Sequence, residues 1–563
     1  MKDYGVTLGC FPRLSSRAAT PEERAADYDR KIQDLVKKYP NTKLALIFHE
    51  GGGRPEPLEL IGGKTEITED VIAADKKKVT TATELAKAWR RNAPDVKLLI
   101  GNSGESVNIL AQLFRQKFPA DLIDRMGEES VGMTQPPERT VAYSYWALAE
   151  LARIYGYKNL LPDSCYEWKS RIARNAESPH QLAAWTTRDT LICHVWNCNL
   201  MPLPGITEMA NSYYNTIWGY GVFSRYPLLQ PTPTFSAMAN MTRILDRAVY
   251  QRMIPTGSNT VYALEWKKGD SYIYAFWSAR GNVNAEFTFP ADGVLRTDLY
   301  GRESSIKGNT WKGEISESPF YLTSKAAITG VKAELNRTYP AETFGMAQAK
   351  VVAPMDKAED WTLEDMKEDK RIHIPLNPLY MSAFKPGKFK LSAVKDEEKG
   401  DCLEVELLPE GDCAALLREY AFIRLKQPAA IPGKPTTVGL WVKGNSSWGK
   451  LYLELEDADG EIWLSAGAGG YGCLSYDWQE RLGINFDGWN FLQFPLTAES
   501  PVKVKCPGNN QRQWQTQKTG DGKITYPVKV KGVGIALARK TLLLREMVEL
   551  QNKAIRLKDF SAY

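Results

Sequence analysis

No apolar run in the sequence approaches the length needed to cross a bilayer, which argues against a membrane-spanning helix. Charge of one sign is also scarce. The formal net charge is only +5 over 563 residues, and lysines and arginines interleave with acids. Without a basic stripe to track phosphates, nucleic-acid binding is disfavoured. Histidine numbers four, unclustered, and the eight cysteines contain no CxxC pair, so a zinc site is not expected. Cys193 and Cys198 flank Trp196; on a strand their odd spacing would point them to opposite faces, against a local disulfide. Met1 is not followed by a charged-then-apolar leader, and residues 4 to 11 already read as a strand, so the chain is expected to start inside a domain.

What is present is a mixture of two periods. At 43% hydrophobic and 25% charged the chain is neither disordered nor fibrous, and its length implies several cores. Residues 1 to 248 alternate short apolar runs with amphipathic stretches, as repeated βα units around a parallel sheet do. Thr20-Pro-Glu-Glu is a helix start, and strands are expected at residues 4–11, 44–48, 97–101, 121–126, 160–167 and 190–196. That makes six βα units where a closed barrel needs eight, so two are expected to be absent from the N-terminus. Residues 249 to 330 switch to short alternating strands and read as an antiparallel β-sandwich. Residues 331 to 375 read as a linker plus a first strand, and 376 to 563 as a β jelly roll.

Two apolar runs in the first half end on glutamates 117 positions apart: Leu44-Ala-Leu-Ile-Phe-His-Glu50 and Leu160-Leu-Pro-Asp-Ser-Cys-Tyr-Glu167. In a parallel βα sheet every strand delivers its last residue to the same side, so such carboxyls can converge on one substrate. Paired carboxylates suit glycosidic cleavage, in which one protonates the leaving oxygen while the other meets the oxocarbenium-like centre. This chemistry needs no metal or organic cofactor. The 16 Trp and 26 Tyr suit stacking on sugar rings, although most large aromatics are core.

In these respects the first half resembles the retaining glycoside hydrolases of clan A, TIM-barrel enzymes with the acid/base after strand four and the nucleophile after strand seven. If residues 4–11 are strand three, the resemblance implies Glu50 as general acid/base and Glu167 as nucleophile. It places Trp196 at the end of strand eight, under the sugar. Residues 213–221, with Tyr213 and Trp218, followed by 231–243, look like the last loop and last helix of such barrels. The chain has His49-Glu50-Gly51 where many members have Asn-Glu-Pro, which implies a neighbouring family pattern.

Each candidate has a plain alternative. Glu50 precedes three glycines and can be a solvated turn residue; Glu167 can pair with Lys169 or Arg171. Glu128 and Glu129 are competing carboxylates that can line the pocket, or one of them can be the nucleophile if the strand count is different. Trp196 and Trp218 can be core, and His49 and His194 can be structural rather than sugar-bonding. The jelly roll is similar to galactose-binding-like modules, with Trp448, Trp463, Tyr471, Tyr476, Trp478 and Trp514 as candidate platforms.

The resulting expectation is an incomplete (β/α) TIM-type barrel, a β-sandwich and a jelly roll, together acting as a glycosidase on an oligo- or polysaccharide. The resemblance implies a secreted or periplasmic protein. An incomplete barrel would leave open edges, hence self-association or a need for the missing segment. The alternative is a non-catalytic carbohydrate-binding or scaffold protein with a degenerate barrel.

Overall fold

The computed structural model describes residues 8–10, 14–47, 68–101, 106–129, 137–157, 159–166, 178–198, 222–224, 228–290, 292–334, 348–364, 383–410, 417–465, 482–496, 504–506, 509–511, 514–516, 521 and 523–563. Five parallel strands form the first sheet in chain order: β1 (Leu8–Cys10), β2 (Thr42–Leu46), β3 (Lys97–Gly101), β4 (Arg125–Glu129) and β5 (Leu161–Tyr166). Between them lie helices α1 (Pro21–Lys38), α2 (Glu69–Asn92), α3 (Ser106–Arg115) and α4 (Pro137–Ile154). After β5 come α5 (Pro179–Val195) and α6 (Pro233–Leu245). The fold is thus α/β followed by all-β, and among the described residues the parallel sheet does not close into a barrel.

Helix α1 starts where Thr20 and Glu23 form a reciprocal capping box, with Pro21 in the first turn. Its inward residues Tyr28 and Ile32 are buried. β2 and β3 are buried along almost their whole length, as parallel strands covered on both faces must be.

The strand expected at residues 190–196 is helix instead, so the parallel sheet has five described strands rather than six. Ser178 caps α5 by accepting from the Gln181 N–H, and Pro179 comes next. The segment looks strand-like because α5 is buried on nearly every side and its β-branched threonines favour strands. Inside the helix those hydroxyls donate back one turn, Thr187 to the Ala183 carbonyl and Thr190 to that of Thr186. At the other end Asn197 takes a left-handed conformation (φ 51°) and closes a Schellman turn, in which the Cys198 N–H donates to the Cys193 carbonyl and that of Asn197 to His194. Cys193 and Cys198 are both buried thiols outside any disulfide, spaced by a helix end rather than by strand alternation.

The second unit pairs Val249–Met253, Val261–Lys268, Ser271–Ser278, Phe320–Ser324, Leu295–Thr297 and Glu303–Ser305 in one sheet, with Thr310–Ile315, Val283–Thr288 and Gly330–Ala333 in another. An aromatic stack of Phe276, Phe287, Trp311 and Phe320 fills the space between them. The opposite face of Ser271–Ser278 carries Trp277, buried in the same core as α4 and α5.

The third unit is a sandwich of two larger sheets around its own core. Lys350–Ala353 joins one sheet beside Ala554–Ala562, and Trp361–Glu364 joins the other beside Leu417–Ala430. Two left-handed residues reach from this unit into the first core: Trp448 (φ 55°) and Leu544 (φ 56°), both buried there. Such backbone costs roughly 1–2 kcal/mol per residue, an amount that burying these side chains more than offsets. Arg545 is next, its guanidinium 5.0 Å above the Trp196 ring and donating to the Val195 carbonyl at the end of α5. Arg545→Ala is expected to lower stability by up to about 1 kcal/mol, read as a small drop in melting temperature.

Asp396 staples three strands of that unit. It accepts from Lys443 (2.8 Å), Arg556 (2.7 Å) and the Trp489 indole N–H (2.9 Å). Burial pushes its carboxyl up, but the bonds from Lys443, Trp489, the Glu398 N–H and Arg556 outweigh that and hold it well below the usual carboxylate range. A depressed carboxyl contributes stability that is present above the unfolded value, near 3.9, and is lost as pH falls through the folded one. Asp396→Asn should therefore destabilise at pH 7, by about 3 kcal/mol, and flatten the acid limb of a melting-temperature profile below about pH 4.

Candidate active site

Because β1 to β5 are parallel and neighbours in sequence order, all their carboxyl ends lie along one edge of the sheet. That edge carries Cys10, Leu46 followed by Ile47, Gly101, the Glu128–Glu129 pair and Tyr166. The Ile47 N–H donates to the Leu99 carbonyl at 2.9 Å, extending the β2 ladder by one residue. Gly101 has φ 110°, a conformation that L side chains rarely adopt, and it turns the chain out of β3.

Glu128 and Glu129 are the last two residues of β4 itself, rather than lying beyond it. Glu128 lies opposite Ser164 and Glu129 opposite Tyr166, which makes Cys165 an extra residue on β5. Bulges of this kind recur at barrel rims and beside active sites. The first residue after β5 is Glu167.

Glu50, Glu167, His49, Tyr213 and Trp218 lie outside the described residues. The other sequence candidates can be placed. His194 sits in the last turn of α5, and burial pushes its imidazole pKa down, so it favours the neutral form. Trp196 is corrected from a sugar-stacking position at a strand end to a core residue at the α5 terminus. It is 3% exposed, edge-on to Tyr145 and covered by Arg545, so no sugar can reach its face. In the third unit Trp448, Trp463 and Trp514 are likewise buried rather than platforms. The Trp463 indole donates to Asp457 and that of Trp514 to the Pro495 carbonyl. Tyr471, Tyr476 and Trp478 lie outside the described residues.

The structure adds residues that sequence reasoning passed over. Asp163 is fully buried on β5, opposite Gly127. Glu138, in the first turn of α4, binds Arg188 of α5 through two 2.7 Å bonds, and both side chains are inaccessible to solvent. The Trp277 indole N–H donates to the same carboxylate at 2.7 Å, tying the second unit to the helices that flank β4 and β5. Burial works against the Arg188 charge, but Glu138 outweighs it and keeps the guanidinium protonated. The only local signal for this network is an acid after Pro136-Pro137, which reads as an ordinary helix start; its partners are 50 and 139 positions away.

Among the described residues no group of three or more His, Cys, Asp or Glu side chains is arranged to hold a metal ion. None of their helices is long and apolar enough to cross a membrane.

Comparison with protein-family models finds no match. Comparison with curated proteins finds none either. Among solved structures the chain is similar to a glycoside hydrolase family 30 subfamily 8 xylanase from Clostridium acetobutylicum, at 12% identity over 54% of this chain and 72% of that one, with a TM-score of 0.36. It is similar to a β-porphyranase of glycoside hydrolase family 86 from Bacteroides plebeius, at 9% identity over 92% of this chain and 82% of that one, TM-score 0.32. It is also similar to a family 11 carbohydrate-binding module of a Clostridium thermocellum cellulase, at 9% identity over 38% of this chain and 93% of that one, TM-score 0.21. These neighbours are glycoside hydrolases and a carbohydrate-binding module.

Proposed function

We propose that the protein is a glycoside hydrolase that cleaves O-glycosidic bonds of an oligo- or polysaccharide by a retaining mechanism. Glu50 serves as general acid/base and Glu167 as nucleophile. The observation that carries this reading is the sheet itself: parallel strands in sequence order, with Glu167 the first residue after β5 and Glu50 four residues after the end of β2. Parallel strands deliver the residues just past their carboxyl ends to one side, where the two carboxyls can act on one sugar.

Three strand spacings separate β2 from β5, about 14 Å along a flat sheet. Retention needs carboxyls about 5–5.5 Å apart, so the sheet must curl to bring the two glutamates face to face. In the first step Glu50 donates its proton to the leaving oxygen while Glu167 bonds to the anomeric carbon. In the second, Glu50 takes a proton from water, which displaces Glu167. Glu128 and Glu129, between the two on the same edge, are suited to accept hydrogen bonds from sugar hydroxyls. The decisive experiment is proton NMR of the first-released product from an aryl glycoside: net retention of anomeric configuration supports the assignment, and inversion or absence of hydrolysis across a panel of aryl glycosides overturns it.

A further inference from the structure

Outside the strand edge one cluster stands out: an exposed tyrosine held rigidly against an exposed histidine, between two units of the protein. Tyr300, 39% exposed, sits in the turn following Leu295–Thr297 of the second unit. That turn is fastened tightly. The Asp298 carboxylate accepts from the Tyr300 and Arg302 N–H groups at 3.0 and 2.8 Å, and Gly301 supplies φ 95°. The Asn240 side chain of α6 donates to the carbonyls of Asp298 and Leu299 at 3.0 and 3.2 Å. Leu299 is buried against Ala183 and Ala184 of α5 and Ala237 of α6. The result is that the Tyr300 hydroxyl and His180 Nδ1 share a 2.7 Å hydrogen bond, with the rings edge to face at 5.6 Å between centroids.

The position of this pair is set by the helices. α4 ends just before β5 begins, so it runs antiparallel to the strands and its first turn lies on the side of their carboxyl ends. α5 runs alongside α4 in the same direction: Arg188 meets Glu138, and Cys193 and Trp196 meet Tyr145. His180 is eight residues before Arg188, so it stands about 12 Å beyond the first turn of α4, on the same side as the strand carboxyl ends.

We propose that Tyr300 and His180 form a saccharide-binding subsite beside the carboxyl edge of the parallel sheet, taking a sugar ring of the substrate away from the bond that is cleaved. This rests on the reading of the carboxyl edge as a glycosidase site. The phenol ring offers an apolar face already fixed in place, so little side-chain entropy remains to be lost on stacking. The imidazole Nε2 is left to pair with a ring hydroxyl.

The test uses the full chain and a panel of hexasaccharides (cello-, xylo-, manno- and laminarihexaose), with binding measured by calorimetry and hydrolysis measured separately. Tyr300→Ala should weaken binding of the hexasaccharide that the wild type binds, and raise its KM, by about tenfold. Hydrolysis of a short aryl glycoside should be unchanged, and Tyr300→Phe should keep most of the affinity. Equal hexasaccharide affinity in wild type and Tyr300→Ala overturns the subsite, as does failure of the wild type to bind any member of the panel. Binding lost in Tyr300→Ala by a wild type that hydrolyses nothing would keep the subsite and count against the glycosidase reading alone.

Discussion

Replacing Glu167 by glycine should abolish turnover of an aryl glycoside by orders of magnitude, and millimolar to molar azide should restore it with a glycosyl azide as product. The cavity left by the side chain admits a small anion that attacks the same carbon from the same side, so chemical rescue reports the position of the missing nucleophile. Glu50→Gln removes the proposed proton donor and should cost about 10²- to 10⁴-fold, most for poor leaving groups and least for dinitrophenol, which needs no proton. The wild-type profile of kcat/KM should be bell-shaped, with its acid limb from the nucleophile and its basic limb from the acid; loss of Glu50 should remove the basic limb. If either variant keeps wild-type rates, Glu128 or Glu129 becomes the carboxylate to test next.

The other large effect concerns stability. Glu138→Ala leaves the Arg188 guanidinium buried without its counter-charge and the Trp277 indole without its acceptor. The expected loss is about 3–5 kcal/mol, a large fraction of the roughly 5–15 kcal/mol that holds a typical native state. The paired change Glu138→Leu with Arg188→Met removes both charges at similar volume and should recover most of that loss. Urea midpoints for the two variants separate the outcomes: a double variant no more stable than the single one would mean that shape rather than charge balance matters at this junction.

The sequence shows the architecture best where a single physical rule governs. The Thr20–Glu23 capping box marks the start of α1, and the continuous apolar runs of β2 and β3 mark a sheet buried on both faces. Alternation in 261–277 marks the second unit. It misleads where burial is uniform. α5 has no polar face, so its last residues resemble a strand until the Ser178 cap and the back-bonding threonines are seen. The start of α2 at Glu69 is hidden because its first turns put Ile72 outside and Asp75 inside, which erases the helical stripe there. At the candidate site, strand ends are legible because they come after apolar runs. The His180–Tyr300 pair is not, since 120 positions separate two residues that only tertiary packing joins.

The reach of Arg545 back to Val195 sets a clock on synthesis. A ribosome adding about 5–20 residues per second needs roughly 20–70 s to make the 350 positions between them. For that interval the Trp196 ring and the site that receives Leu544 lack their covers on the nascent first unit. A stop codon anywhere before residue 544 therefore releases a polypeptide whose first core lacks the cover that Leu544 and Arg545 supply.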